Sequence, residues 1–217
     1  MVIGFRHIGR NGIYLWQGQY INKILNPFGF ADCKPQPIPL SPNHGLQKWQ
    51  QGDKATDKTL YQQIIGCLLY LVTGTRPDLV FSTMLLSQYV SQPNTKYMEA
   101  VKRVLHYLKG TRDLKLIFRR SHGSPGSPGS QRLLGYADSD FAGDIDDRRS
   151  VSGYVFTLNG NTISWRSKKR AGKVYKSTTE AELHAMGYAS KHMLWLQEGL
   201  SELQMSECMV TTREHYN

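Results

Sequence analysis

Between Asp138 and Asp147 the chain carries five aspartates in ten residues, Asp138, Asp140, Asp144, Asp146 and Asp147, followed at once by Arg148-Arg149. Carboxylates at that density repel one another unless something offsets them. Two arrangements do so: a water-exposed acidic loop, or a hard divalent cation, which takes oxygen ligands. In an arbitrary chain the solvated loop is the commoner, so the cluster gains chemical meaning only if another carboxylate is delivered to it. Glu182, in the run Ala181-Glu182-Leu183-His184-Ala185, is the candidate. Two carboxylates brought together in this way can hold a hard metal ion. Glu180, two residues earlier, would point away from Glu182 on a helix and suits a cap, while His184 reads as a helix-surface histidine. Cys33, Cys67 and Cys208 lack metal-ligand spacing, and an odd, scattered set fits a reducing compartment better than a disulfide framework.

The elements that must position these residues follow from the pattern. Leu133, Leu134 and Tyr136 form a strand that ends at Asp138. Gly153 to Leu158 and Thr162 to Arg166 read as two more strands, joined by Asn159-Gly160-Asn161, a hairpin signal. A helix starts at Ser177 or Thr178, with Glu180 placed for a capping box and Ala181, Ala185, Ala189, Met193 and Leu196 at helical spacing. Cys208 to Thr212 opens one more strand. Upstream, residues 121–130 (SHGSPGSPGS) repeat Ser-Pro-Gly, offer nothing to a core and read as a linker.

Before that stretch the pattern is mostly helical. QYINKIL precedes the break at Asn26-Pro27, and the four prolines between Cys33 and Pro42 exclude a regular element there. Leu60, Ile64, Cys67, Leu68 and Leu71 line one helix, Leu79 to Val90 form a second, and Pro77 suits a first turn. Asn94 or Thr95 caps a third, lined by Tyr97, Val101, Val104, Leu105 and Leu108 and closed by Gly110.

The net charge is +10, and its distribution is uneven. Lys and Arg outnumber Asp and Glu by 16 to 6 in residues 1–130, whereas residues 131–217 carry 11 of each. A basic balance with scattered tyrosines and tryptophans is the footprint of a surface that follows phosphates. Lys96, Lys102, Arg103 and Lys109 on the third helix and Arg166, Lys168, Lys169 and Arg170 after the hairpin are the candidate nucleic-acid contacts. With no long apolar run and no signal-peptide pattern at the start, an intracellular protein without a membrane partner is expected.

Taken together the wording is that of a known family. GYADSDFAGD, RRSVSGYVF, ISWRSKK, STTEAEL and MLWL resemble the ribonuclease H domain of copia-type LTR retrotransposon Pol polyproteins. YINKIL, FGFADCKP, YQQIIGCLLYL, TRPDL and AVKRVLHYLKGT resemble the segment after the reverse-transcriptase active site in the same polyproteins. The resemblance implies an α/β and α+β chain in two parts. Residues 1–120 would be the end of the palm, the thumb and the connection, 121–130 the linker, and 131–217 a ribonuclease H-like mixed-sheet domain. It implies hydrolysis of RNA in an RNA–DNA hybrid with Mg²⁺, Asp138 bridging two ions and Glu182 holding one.

Two departures bear on that activity. His215 stands where the family has a metal-binding aspartate, with Glu214 beside it, and the helix carrying a further ligand would lie past Asn217. An imidazole suits a hard Mg²⁺ site poorly. The polymerase's paired aspartates would precede residue 1. The expectation is therefore an impaired nuclease with no polymerase site. The alternatives are a non-catalytic remnant that binds a hybrid or other duplex, and a recruited secreted effector. For the effector the chain offers only Arg103-Val104-Leu105-His106, a near miss to an Arg-x-Leu-Arg motif.

Overall fold

The computed structural model describes residues 3–9, 12–42, 44–120, 132–140, 146–169, 175, 177–203 and 211–212. The chain divides into two compact units, one of Met1–His7 and Tyr14–Leu116 and one of Ile8–Ile13 and Ile117–Asn217. Strands β1 (Gly4–His7), β2 (Gly12–Trp16) and β3 (Leu116–Arg119) form a three-stranded sheet in that order. The Ser-Pro-Gly stretch lies outside the described residues.

The first unit is helical. QYINKIL lies within α1 (Gly18–Leu25), and the Leu60-to-Leu71 spacing lies within α2 (Lys58–Gly74), whose cap Asp57 accepts from the Leu60 N–H at 2.9 Å. The expected single helix from Leu79 to Val90 is a 3₁₀ turn (Pro77–Leu79) followed by α3 (Val80–Ser87). Asn94 caps α4 (Thr95–Gly110), its Oδ1 accepting from the Tyr97 N–H. Residues 33–42 form no regular element. Ile21, Ile64, Leu68, Leu71, Leu86, Val101, Val104, Leu105 and Leu108, all nearly or fully buried, build the core.

One buried cation crosses that core. The Arg76 side chain is 2% exposed and grips Asp78, with Nε to Oδ1 at 2.9 Å and Nη2 to Oδ2 at 2.7 Å. Arg76 also donates to the Thr111 carbonyl and hydroxyl at 3.2 and 2.7 Å, and the Tyr107 hydroxyl donates to Asp78 at 2.9 Å. A guanidinium removed from water needs this many acceptors, because an unpaired buried charge costs several kcal/mol. Burial first, and then the neighbouring Asp78 charge, push the Tyr107 hydroxyl pKa up. That keeps it a donor.

The second unit is a mixed sheet with one long helix. Strands β4 (Leu133–Asp140), β5 (Val151–Leu158), β6 (Asn161–Lys169) and β7 (Thr211–Thr212) take the order β6-β5-β4-β7, with β4 antiparallel to β5 and parallel to β7. The hairpin sits where Asn-Gly predicts it: Asn159 and Gly160 have φ of 52° and 78°, the left-handed pair that a two-residue turn requires. Helix α5 (Thr178–Glu202) is capped by Ser177, which accepts from the Glu180 N–H at 3.2 Å. Its face of Ala181, Ala185, Ala189 and Met193 is buried, and Leu133, Tyr154 and Phe156 complete the core. Gly135 is needed there, since a Cβ on it would stand 2.5 Å from the Phe156 ring.

The same hairpin turn holds two distant pieces of backbone. Asn161 Oδ1 accepts from the Arg119 N–H at 2.7 Å, and its Nδ2 donates to the Arg119 carbonyl at 3.0 Å. Asn159 Oδ1 accepts from the Arg132 N–H at 2.7 Å, and the Asn159 N–H donates to the Arg132 carbonyl at 2.9 Å. Each side-chain amide or backbone group thus imitates a strand neighbour.

The expected fold class is the one observed: a mixed α/β chain with a mostly helical first part and a mixed-sheet second part. No helix among the described residues is long and apolar enough to cross a membrane.

Candidate functional site

Asp138 sits near the end of β4, exposed and directly opposite Gly153 on β5, so no side chain across the strand crowds it. Alternation puts Leu133, Gly135 and Ala137 on the face covered by α5. Asp138 falls on the other face, with Leu134, Tyr136 and Asp140. Strand β7 pairs only with Leu134 and Gly135, so its described residues stop short of Asp138.

Glu182 is exposed in the second turn of α5. It lies seven and eleven residues before Ala189 and Met193, and therefore heads the stripe that faces the sheet. Ala189 and Met193 pack with Leu133, while Leu196 and Leu200 lie against the same cluster as Leu158, the partner of Leu133. Ser164 meets His192 and Arg166 meets Tyr188, so α5 runs antiparallel to β6 and, through the two antiparallel pairings β6–β5 and β5–β4, antiparallel to β4. Its first turns reach the end of the strand that carries Asp138 and Asp140. The two predicted carboxylates share one end of β4 but issue from different sides of the sheet. Glu180 is half-buried, and its backbone N–H donates to the Ser177 cap.

Of the remaining aspartates, Asp147 is offset by cations. Asp147 pairs with Lys169 at 3.0 Å and Arg149 at 3.5 Å, and accepts from the Arg149 N–H at 3.3 Å. Asp144 lies outside the described residues, as do Arg170, Glu214 and His215. Among the described residues, no group of three or more His, Cys, Asp or Glu side chains is placed to hold a metal ion.

The predicted nucleic-acid contacts have different fates. On α4, Lys96 pairs with Asp53 at 3.3 Å, beside the Asn94 cap that Asp53 also accepts from, and the Lys109 ammonium donates to the Ala31 carbonyl. Arg103 is half-buried and its Nε is buried without a hydrogen-bond partner. Lys102 is exposed. The tetrapeptide Arg103-Val104-Leu105-His106 is core-forming helix, with Val104 and Leu105 fully buried. On β6, Lys169 is committed to Asp147, whereas Arg166 and Lys168 are exposed and share the face that α5 covers.

Several residues of that seam were not singled out from the sequence. His192 Nε2 lies 2.9 Å from the Ser164 hydroxyl, and the His192 ring stacks on Tyr154 and on Trp195. Arg166 stands 5.7 Å above the Tyr188 ring. Tyr188, His192 and Trp195 recur at four and three residues, a stripe visible in the sequence but overshadowed by the neighbouring core positions. Burial, and then the Arg166 charge, hold the His192 imidazole below its ordinary pKa.

Comparison with known proteins then places the chain. No protein-family model and no solved structure matches it. It is 37% identical over 203 residues to the retrovirus-related Pol polyprotein from transposon TNT 1-94 of Nicotiana tabacum, covering 90% of this chain and 14% of the relative. It is 36% identical over 192 residues to the retrovirus-related Pol polyprotein from transposon RE1 of Arabidopsis thaliana, covering 88% of this chain and 12% of the relative. The chain thus spans a small part of these polyproteins. Over 136 residues it is also 43% identical to the secreted RxLR effector protein 161 of Plasmopara viticola, covering 63% of this chain and 90% of that protein. With 36–37% identity over 88–90% of its own length to several transposon polyproteins, the chain belongs to the retrovirus-related Pol polyproteins of copia-type transposons.

Proposed function

We propose that the second unit is a ribonuclease H-like domain, in which Asp138 and Glu182 supply oxygen ligands to Mg²⁺ for hydrolysis of the RNA strand of an RNA–DNA hybrid. The observation that carries this reading is that α5 runs antiparallel to β4 with Glu182 heading its sheet-facing stripe, so that both carboxylates arrive at one end of the strand. The donors fit the ion in kind, both being exposed carboxylates with hard oxygen ligands and Gly153 leaving space beside Asp138, and because they leave different sides of the sheet they would meet at an ion only past the end of β4. Bound there, Mg²⁺ would act as a Lewis acid on the scissile phosphate and its attacking water. The chain's own residues hold the charge and orient the strand, with Arg166 and Lys168 available to phosphates.

Two carboxylates are few for a two-ion clamp. The 217-residue chain alone is therefore expected to cleave hybrid at near background, with Asp138→Asn changing little. Mn²⁺ titration followed by paramagnetic broadening is expected to affect nuclei around Asp138 and Glu182, and the effect should be lost in Asp138→Asn and Glu182→Gln. Broadening that persists in both variants overturns the assignment of ligands. Robust Mg²⁺-dependent cleavage abolished by Asp138→Asn keeps the ligands but overturns the impaired turnover. A second reading, non-catalytic binding of hybrid or other duplex nucleic acid, is favoured by the exposure of Arg166 and Lys168, and is separated by hybrid binding that neither carboxylate variant alters.

A further inference from the structure

The seam between β6 and α5 has the make-up of a second binding surface. Trp195 is 64% exposed, yet its indole is not loose: it stacks on the His192 ring at 5.3 Å and 26°. His192 stacks in turn on Tyr154 at 5.0 Å and 24°, and the Ser164 hydroxyl fixes its Nε2. The pairs Ser164–His192 and Arg166–Tyr188 show that β6 and α5 run antiparallel. Two strand residues advance about 6.6 Å and four helix residues about 6 Å, so the next pair in step is Lys168 with His184. The His184 ring stacks on Tyr175 at 4.8 Å.

Along the seam the rings of Trp195, His192, Tyr188 and His184 on α5 are flanked by Arg166 and Lys168 of β6, over a run of about 16 Å. No acid occurs in β6 or between Leu183 and Gln197 on α5, whereas Lys191 adds a further exposed cation. Glu198 and Glu202 lie beyond Trp195, at the C-terminal end of the helix.

We propose that this seam binds single-stranded nucleic acid, with an unpaired base stacked on the exposed face of Trp195 and the backbone led along Arg166 and Lys168. The charge decides the occupant: a phosphate chain complements an acid-free row of cations, and a planar base complements an indole already held flat by a stack beneath it. A run of about 16 Å accommodates roughly five stacked nucleotides. The proposal rests on the nucleic-acid reading of Arg166 and Lys168 given above. It adds the stacking platform and the preference for unpaired strands.

The test uses the full chain without divalent metal, titrated with a short labelled oligothymidylate and with an RNA–DNA hybrid of the same length. Fluorescence anisotropy and tryptophan quenching are read together. Trp195→Leu is expected to weaken single-strand binding roughly tenfold, to remove most of the quenching and to leave hybrid binding and the melting curve unchanged. Trp195→Tyr, which keeps a ring, should restore most of the affinity. Arg166→Gln and Lys168→Gln should each flatten the salt dependence by about one phosphate contact. Equal single-strand affinity for wild type and Trp195→Leu overturns the platform. A chain that binds hybrid but no single strand overturns the seam and leaves the hybrid reading standing, whereas a chain that binds neither overturns both.

Discussion

At the scale of single residues, His192 has the most legible physics. Tyr154 and Phe156 from β5, Ser164 and Arg166 from β6, and Tyr188 and Trp195 from its own helix surround it. Burial and then the Arg166 charge depress its pKa, so the fold prefers the neutral ring. The unfolded chain takes up a proton at the ordinary value of about 6.5. The stability that this preference contributes is therefore complete above that value and is lost as pH falls through it towards the depressed folded pKa. The second unit should melt at a lower temperature at about pH 5 than at about pH 7, and His192→Gln should flatten that difference. Identical pH dependence in the two proteins would count against a neutral, packed imidazole. Asp138 and Glu182, by contrast, are exposed, and carboxyl substitutions there should leave the melting temperature nearly unmoved.

At the scale of elements, the Arg76 network ties the 3₁₀ turn Pro77–Leu79 to the end of α4 through Asp78, Tyr107 and Thr111. Asp78→Ala strands a guanidinium in the core and should destabilise the first unit by about 3 kcal/mol or more. The paired change Arg76→Met with Asp78→Leu removes both charges and should cost much less. Urea midpoints separate the two outcomes, and equal losses would mean that the network is only packing. The elements were largely readable because local signals governed them: Asn94 and Ser177 are caps, Asn159-Gly160 is a turn, and the apolar spacing of α2, α4 and α5 is helical. Leu79 to Val90 departed from the reading because its first residues close a 3₁₀ turn around Arg76 before the α-helix starts. Strand β3 escaped notice, being four residues long with no alternating polar face. The site was half legible. Motif wording picked out Asp138 and Glu182, but nothing local shows which face of β4 is covered by α5, since that depends on tertiary packing. Among the basic candidates, Lys96, Lys109 and Lys169 have carboxylate or carbonyl partners that only the three-dimensional fold brings to them.

At the scale of the whole molecule, the excess of 16 basic over 6 acidic residues in the first 130 is partly spent on internal contacts, whereas the second part, balanced in total, presents an acid-free seam. Overall charge and local charge need not coincide. The two units have separate apolar cores, so denaturant unfolding should be fitted as more than one transition. Arg119 and Arg132, on either side of the Ser-Pro-Gly stretch, are both hydrogen-bonded to one hairpin turn. Cutting the chain at a protease site placed within residues 121–130 should give two polypeptides that still co-elute on size exclusion and part only in denaturant. Spontaneous separation would show that the Asn159 and Asn161 contacts do not hold. Because the turn holds Arg119 and Arg132, lengthening the chain between them is expected to cost only about 0.6 kcal/mol for each doubling. A fluorescent or affinity module could thus be inserted there, making the asparagine-pinned turn a port through which the second unit can carry a foreign domain without surrendering its own fold.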